Sequence, residues 1–326
     1  MKVLVVGGAG YIGSHMAKLL VDSGHSVVVL DNFSTGHRDA VPCNEVIEGD
    51  LGDRDLLDEI FSGRQFDGVI HFASYIQVGE SIEKPDRYYR NNVANTLTLL
   101  EAMHERGAEN LIFSSSAAVF GEPEYVPIDE RHPKNPVNPY GASKLMVERM
   151  LADIDRAYGL RSVSLRYFNA AGADPDGLLG ERHDPPIHLI PVLLQAASGR
   201  CQTVKIFGHD YDTPDGTCIR DYVHVVDLCK AHLLALTYLR QSGKTDAFNL
   251  GNGVGFSVRE VIDTARRVTG QAITVDHTPR RPGDPARLVA DASRAREVLG
   301  WIPQYTSLDR IVEDAWRWEL RQPRLW

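Results

Sequence analysis

The chain has 326 residues, 43% of them hydrophobic, which is enough to bury a large core and, by length, to build about two domains. A formal net charge of -9 argues against general binding to nucleic acid or to an anionic membrane, so any phosphate ligand must be held by local groups. Residues 1–6 run straight into a strand pattern with no signal peptide before them, and no apolar run approaches the roughly 20 residues of a membrane span. The four cysteines, Cys43, Cys201, Cys218 and Cys229, form no CxxC and no Cys/His ligand cluster, which suits a reducing cytoplasm and argues against a structural zinc.

In chain order the first element is the strand "KVLVVG", followed at once by Gly7, Gly10 and Gly13 in "GGAGYIGSHMAKLL" and by a helix over 13–23. A Gly-rich turn that opens a helix lets the backbone approach a pyrophosphate, whose charge then rests against the helix N-terminus. Glycines alone carry little weight, since any tight strand-helix turn uses them. Here the second strand, "SVVVLD", ends in Asp31, about where an acid would hydrogen-bond a ribose 2′-OH. Asp31 would repel a 2′-phosphate, and no arginine follows before Arg38, so the pattern favours NAD over NADP. Strands "EVIEGD" and "GVIHFA" come next, then a helix over 91–106 with Val93, Leu97, Leu100 and Met103 on one face, then the strand "NLIFSSS".

The run "PYGASKLMVER" begins a further helix, with Leu145, Val147, Met150, Leu151 and Ile154 at the spacing of a buried face. Tyr140 and Lys144 therefore share one side of its first turn, although by themselves they read equally as a surface pair. The strand "SVSLRYFN" completes the series. All these strands are rich in β-branched residues and lack in-out alternation, as buried parallel strands do. The β-α-β-α order predicts an α/β fold, a doubly wound Rossmann-type parallel sheet over 1–168. A smaller C-terminal α/β substrate domain is expected over 169–326, where "AAGADPDGLLGERHDPP" and "GHDYDTPDGT" read as loops. Segments near 213–227 and 247–252 are expected to return to the first domain.

The glycine spacing and the Tyr140/Lys144 pair together resemble the extended short-chain dehydrogenase/reductase superfamily. The resemblance implies that Tyr140 is the acid/base, that Lys144 lowers its pKa and holds the nicotinamide ribose, and that Ser116 in "SSSAAVFG" binds the reacting hydroxyl. Physical chemistry agrees, since an unperturbed tyrosine near pKa 10 is a poor base at neutral pH and a nearby ammonium favours its phenolate. Dehydratases of the superfamily carry an Asp-Glu pair directly after the active-site Ser or Thr, whereas this chain has Ala117 and Ala118. Its reductive epimerases use a Cys and His pair, and no cysteine lies between Cys43 and Cys201. What remains is removal and return of a hydride.

Along nearly its whole length the chain resembles the UDP-glucose 4-epimerase family, through "GGAGYIGSH", "HFASYIQVGES", "YYRNNVANTL", "PYGASKLMVE", "LRYFNAAGADP", "IFGHDYDTPDGTCIRDYVHVVDL", "FNLGNG" and "RRPGD". This implies a retained NAD, a UDP-sugar substrate, and a homodimer paired through helices 91–106 and 141–158. Cofactor contacts are implied at Gly7, Gly10, Tyr11, Ile12, Gly13, Asp31, Asn32, Asp50, Leu51, Phe72, Ala73, Ser74, Asn91, Ser116, Tyr140, Lys144 and Phe168. UDP-sugar contacts are implied at Ser116, Tyr140, Asn169, His188, Phe207, Arg220, Tyr222, Arg281, Asp284 and Leu288. Guanidinium forks suit a diphosphate on an acidic protein, although each arginine alone reads equally as solvated surface charge. Three positions depart from the family pattern: Ile76 stands where many members have a cofactor-contacting lysine, His188 where some have an asparagine, and Leu288 where others have a tyrosine or a cysteine. The alternatives are a 4-epimerase of another UDP-sugar (an N-acetylhexosamine, pentose or uronate), a net UDP-sugar oxidoreductase or dehydratase, and a non-catalytic NAD-binding regulator.

Overall fold

In the first strand, β1 (Lys2–Val6), Val3 and Val5 belong to a core on one side of a sheet and Leu4 and Val6 to a second core on the other. Both faces exclude water, so the strand is apolar throughout rather than alternating. The computed structural model describes residues 1–43, 45–281 and 284–322, with Ser242 by its main chain alone. Further strands are β2 (Ser26–Asp31), β3 (Glu45–Glu48), β4 (Gly68–His71), β5 (Asn110–Ser116) and β6 (Arg161–Tyr167). Beyond them lie β7 (Asn169–Ala171), β8 (Val204–Phe207), β9 (Ile219–His224), β10 (Asp246–Leu250), β11 (Gly255–Ser257), β12 (Val275–Thr278) and β13 (Arg287–Leu288).

The main sheet is parallel in the order β10-β6-β5-β4-β1-β2-β3, the doubly wound arrangement whose order reverses between β1 and β4. Helices Tyr11–Asp22 and Val225–Ser242 cover one face through Met16, Leu20, Leu228 and Leu236. Helices Arg54–Phe61, Asn95–Glu105 and Pro139–Tyr158 cover the other through Leu57, Leu100 and Val147.

Three local details differ from the sequence reading. The first helix starts at Tyr11, and the helix expected over 91–106 is a wide π-helical turn, Tyr89–Ala94, running into an α-helix, Asn95–Glu105. That turn carries the buried Asn92, whose amide bonds both the N–H (2.9 Å) and the C=O (3.0 Å) of Tyr75 and also Ser143 Oγ (3.0 Å). β9 sits in a small separate sheet, paired with β7, β11 and β13, so the chain rejoins the first body at Val225 rather than near residue 213 and stays there through β10. The second body has its own core of Ile190, Leu193, Ile206, Val261, Ile311 and Val312.

Candidate active site

Parallel strands all end on one edge of the sheet, and the loops leaving that edge carry the residues expected to work. Gly7 follows β1 with φ at 79°, and a Cβ there would lie 2.5 Å from Ala73 N; one on Gly13 would lie 2.1 Å from Gly7 O. Neither position tolerates a side chain. Gly10 stands before the first helix without capping it, and the first turn holds no acid, so the leading N–H groups at Tyr11 and Ile12 keep no intrahelical or side-chain cap. That is a cradle for a dinucleotide pyrophosphate, and the NAD expectation fits it.

Asp31 closes β2 and accepts from Ala9 N and Phe33 N, both at 2.8 Å, which fixes its carboxylate beneath the turn. Arg38 stacks on the Phe33 ring at 4.3 Å and pairs with Glu48, so its charge is already answered. Asn32 Nδ2 donates to Asp50 (2.9 Å), and Asp50 also accepts from Gly52 N (2.8 Å) and Asn95 Nδ2 (3.2 Å), with Leu51 buried beside it. Phe72 and Ala73 both donate their N–H to Val6 O, holding the loop after β4, where part-buried Ser74 follows, close to the glycine turn. Asn91 sits on the π-helical turn and donates to Asn92 Oδ1 at 2.9 Å. Tyr11 reaches across to the second body, its hydroxyl donating to Gly172 O at 2.7 Å.

At the end of β5 stands Ser116, buried, and opposite it Tyr140 at the start of helix Pro139–Tyr158. Asn138 caps that helix, accepting from Gly141 N at 2.8 Å, and Pro139 fills its first position, where a missing N–H costs nothing. Gly141 presses the helix onto the segment after Ser116: a Cβ there would lie 2.4 Å from Ala118 O. Lys144 is buried, donates to Ser114 O at 2.8 Å and lies 5.9 Å from the centre of the Tyr140 ring. Burial raises the Tyr140 phenol, against a hydrogen bond from Ser116 that lowers it. Burial also pulls the Lys144 ammonium down to about 7, opposed by Glu148 one turn further on. A cation held beside Tyr140 would oppose that rise and favour its phenolate.

The substrate candidates fall into two groups. Phe168 and Leu288 both pack against the buried cluster of Ala117, Val119, Phe120 and Ile128, three members of which follow Ser116 directly. Asn169 donates to Asp221 O (2.9 Å), beside Tyr222, which faces it in the β7–β9 register. The second group is cationic. Arg281 lies over the Phe207 ring at 3.8 Å, and Arg220 donates to Ile219 O (2.8 Å) and pairs with Asp284, to which Tyr211 also donates. Arg220 neighbours Leu288 in the β9–β13 register, which links the two groups. Pro282 and Gly283 of the "RRPGD" run lie outside the described residues. His188 precedes helix Leu189–Ala197 and donates Nδ1–H to Glu181 at 2.8 Å, and Ile76 lies part-buried in the loop after β4.

Comparison with known proteins assigns the lineage. Residues 3–251 match the NAD dependent epimerase/dehydratase family. The chain belongs to that family. Among its relatives is a UDP-glucose 4-epimerase of Halalkalibacterium halodurans, 52% identical over 99% of this chain and 97% of the relative. The fold is similar to that of a UDP-glucose 4-epimerase from Brucella ovis solved in complex with NAD, with a TM-score of 0.94 at 52% identity over 97% of each chain. It also resembles one from Bifidobacterium longum in complex with NAD+ and UDP, with a TM-score of 0.94 at 40% identity over 99% of each chain.

In this epimerase/dehydratase family member the structure adds residues that sequence reasoning missed. Glu148 forms a buried bidentate pair with Arg166 (2.8 and 2.6 Å) and accepts from Ser115 (2.6 Å), so the helix bearing Lys144 is tied to β6 by a charge pair and to β5, which ends in Ser116, by a hydrogen bond. Its position four residues after Lys144 was the available signal. Asp221 is fully buried and accepts from Asn252 N, Gly253 N and Ala290 N, joining three segments distant in sequence. Glu181, His183 and His188 come together in one loop, marked only by the spacing of those residue types in "ERHDPPIH".

Proposed function

We propose that the chain is an NAD-dependent UDP-glucose 4-epimerase, interconverting UDP-glucose and UDP-galactose through a transient 4-keto sugar. The observation that supports this best is the placement of Ser116, Tyr140 and Lys144 at the strand edge that also carries the glycine cradle, with only Ala117 and Ala118 following Ser116. NAD, when bound, would supply reversible hydride chemistry at C4 of the sugar. Tyr140 Oη accepts the proton of the sugar 4-OH and later returns it, and Ser116 Oγ orients that hydroxyl. Lys144, when protonated, places positive charge beside the tyrosine. Because the sugar must present both faces in turn, the grip belongs on the UDP, and Arg220, Arg281 and Phe207 form that grip while the sugar lies against Leu288 and Phe168. Methyl groups at Ala117 and Ala118 transfer no proton, which leaves no group there to eliminate water.

A redox cycle with no net change has no reason to release its cofactor. NAD is therefore expected to copurify, and UDP-galactose incubated with the protein yields UDP-glucose with no NAD added. Chromatography of the nucleotide released on denaturation and a product assay check both points. Protein that arrives without nucleotide and consumes one NAD per product would overturn the reading.

The working unit is a homodimer. Helices Asn95–Glu105 and Pro139–Tyr158 lie side by side, with His104 stacked on Tyr158 at 4.2 Å, and they expose Leu97, Met146 and Tyr158 to solvent. Apolar side chains of this size on adjacent helices suit a face covered by a second copy. Light scattering at micromolar concentration is expected to give twice the chain mass, and a monomer would refute the pairing.

A further inference from the structure

The loop between β7 and helix Leu189–Ala197 holds a cluster of which only His188 is among the implied UDP-sugar contacts. Glu181, His183 and His188 bring one ligand atom each to within 4.8 Å of the other two. Both imidazoles donate Nδ1–H to the same carboxylate oxygen of Glu181, each at 2.8 Å, and the two rings meet edge to face at 5.8 Å.

The geometry points to a zinc site formed by Glu181, His183 and His188. Two imidazole nitrogens and one carboxylate oxygen form a donor set that suits Zn2+, with water as the fourth ligand. A tetrahedral ion at about 2.0 to 2.1 Å from each donor sets them roughly 3.3 Å apart, so each imidazole has to withdraw from the carboxylate by about half an ångström. His183 and His188 can do this, because their side chains are 21% and 35% exposed while Glu181 is buried at 4%. Ion binding through Nδ1 moves the proton of a neutral ring to Nε2 and releases one from a protonated ring.

The surroundings suit an ion with a structural task. Glu181 is anchored from behind, its carbonyl accepting from Trp318 Nε1 at 3.2 Å. Between them, Arg182 pairs with Asp39 (2.9 Å) and its carbonyl meets His37 Nε2 at 3.2 Å, both residues of the loop beyond the glycine turn. A cleft of about 270 Å3, lined in part by Glu181, His183, Gln195 and Trp318, gives solvent access from one side. An ion there would brace this loop, which Arg182 already ties to the segment after β2.

The test uses tag-free, full-length protein with its native nucleotide, stripped of metal with a chelator and titrated with Zn2+ in a calorimeter. One ion per chain is expected, and cobalt(II) at the same site should give the visible absorption of a four-coordinate nitrogen and oxygen environment. His183→Ala, which removes an exposed ligand, should weaken zinc at least about 10-fold, since even outer contacts of a metal site are worth that much. Glu181→Gln should do the same. Melting curves without metal establish whether each variant is folded. Absence of saturable binding, or equal affinity in folded His183→Ala, would overturn the site.

Discussion

Tyr140→Phe should lower turnover by at least about a hundredfold while leaving bound NAD in place, the lower range for loss of a general base. The change keeps the ring, and with it the packing of helix Pro139–Tyr158 against the segment after Ser116, where Gly141 lies so close to Ala118. Only the hydroxyl is removed, and with it the one group opposite Ser116 that can take the 4-OH proton. In barrier terms a hundredfold is about 2.7 kcal/mol. Because the glycine cradle and Asp31 lie on other loops, nucleotide content measured after denaturation is expected to equal that of the unmodified protein. A variant with near-normal turnover would remove Tyr140 from proton transfer. One that loses both activity and nucleotide would show that the ring matters more than its oxygen.

The second large effect concerns the choice of sugar. Leu288, like Phe168, packs against the cluster of Ala117, Val119, Phe120 and Ile128 beside Ser116, and its neighbour in register is Arg220. An N-acetyl group at C2 adds bulk that this pocket has to admit in both orientations of the sugar. A tyrosine at 288 would fill the space that leucine leaves. UDP-glucose and UDP-galactose are accordingly expected as the main pair, with some turnover of the N-acetylated sugars. Leu288→Tyr should then depress kcat/KM for UDP-N-acetylglucosamine relative to UDP-glucose by roughly 10- to 200-fold, as overlap in a packed pocket costs about 1 to 3 kcal/mol. An unchanged ratio would place Leu288 outside the sugar pocket.

The first body was legible in the sequence because its strands are buried on both faces, so that Val3, Leu4, Val5 and Val6 all have to be apolar and announce the sheet without any knowledge of partners. The proposed proton-transfer set could be placed for a similar reason: Tyr140 and Lys144 are fixed to each other by one turn of helix, and Ser116 ends a strand. Strands as short as β7, β11 and β13 carry no periodicity of their own and exist only through pairing with β9. Asp221 likewise has meaning only once Asn252, Gly253 and Ala290 are folded onto it. The π-helical turn at Tyr89–Ala94 was invisible because its residues are ordinary helix formers, and its width follows from the long-range bonds of Asn92 to Tyr75 and Ser143. Lys144 gave the opposite lesson, since its spacing from Tyr140 was plain while its anchorage to Ser114 O and its pull toward neutrality come from burial.

The path of the chain through β10 sets a limit on how such a protein can be divided. Having left the main sheet after β6 and formed much of the second body, the chain returns as helix Val225–Ser242 and then pairs β10 alongside β6. Leu228, Leu236, Phe248 and Leu250 thereby complete the same core as Val5, Ile112 and Val163. A nucleotide-binding fragment ending near residue 168 would lack an edge strand and the helix that roofs one face, leaving an apolar surface and a row of unpaired backbone groups open to water. The two bodies are thus interlaced rather than strung together, and neither can be exchanged between proteins as a cassette without carrying part of the other along.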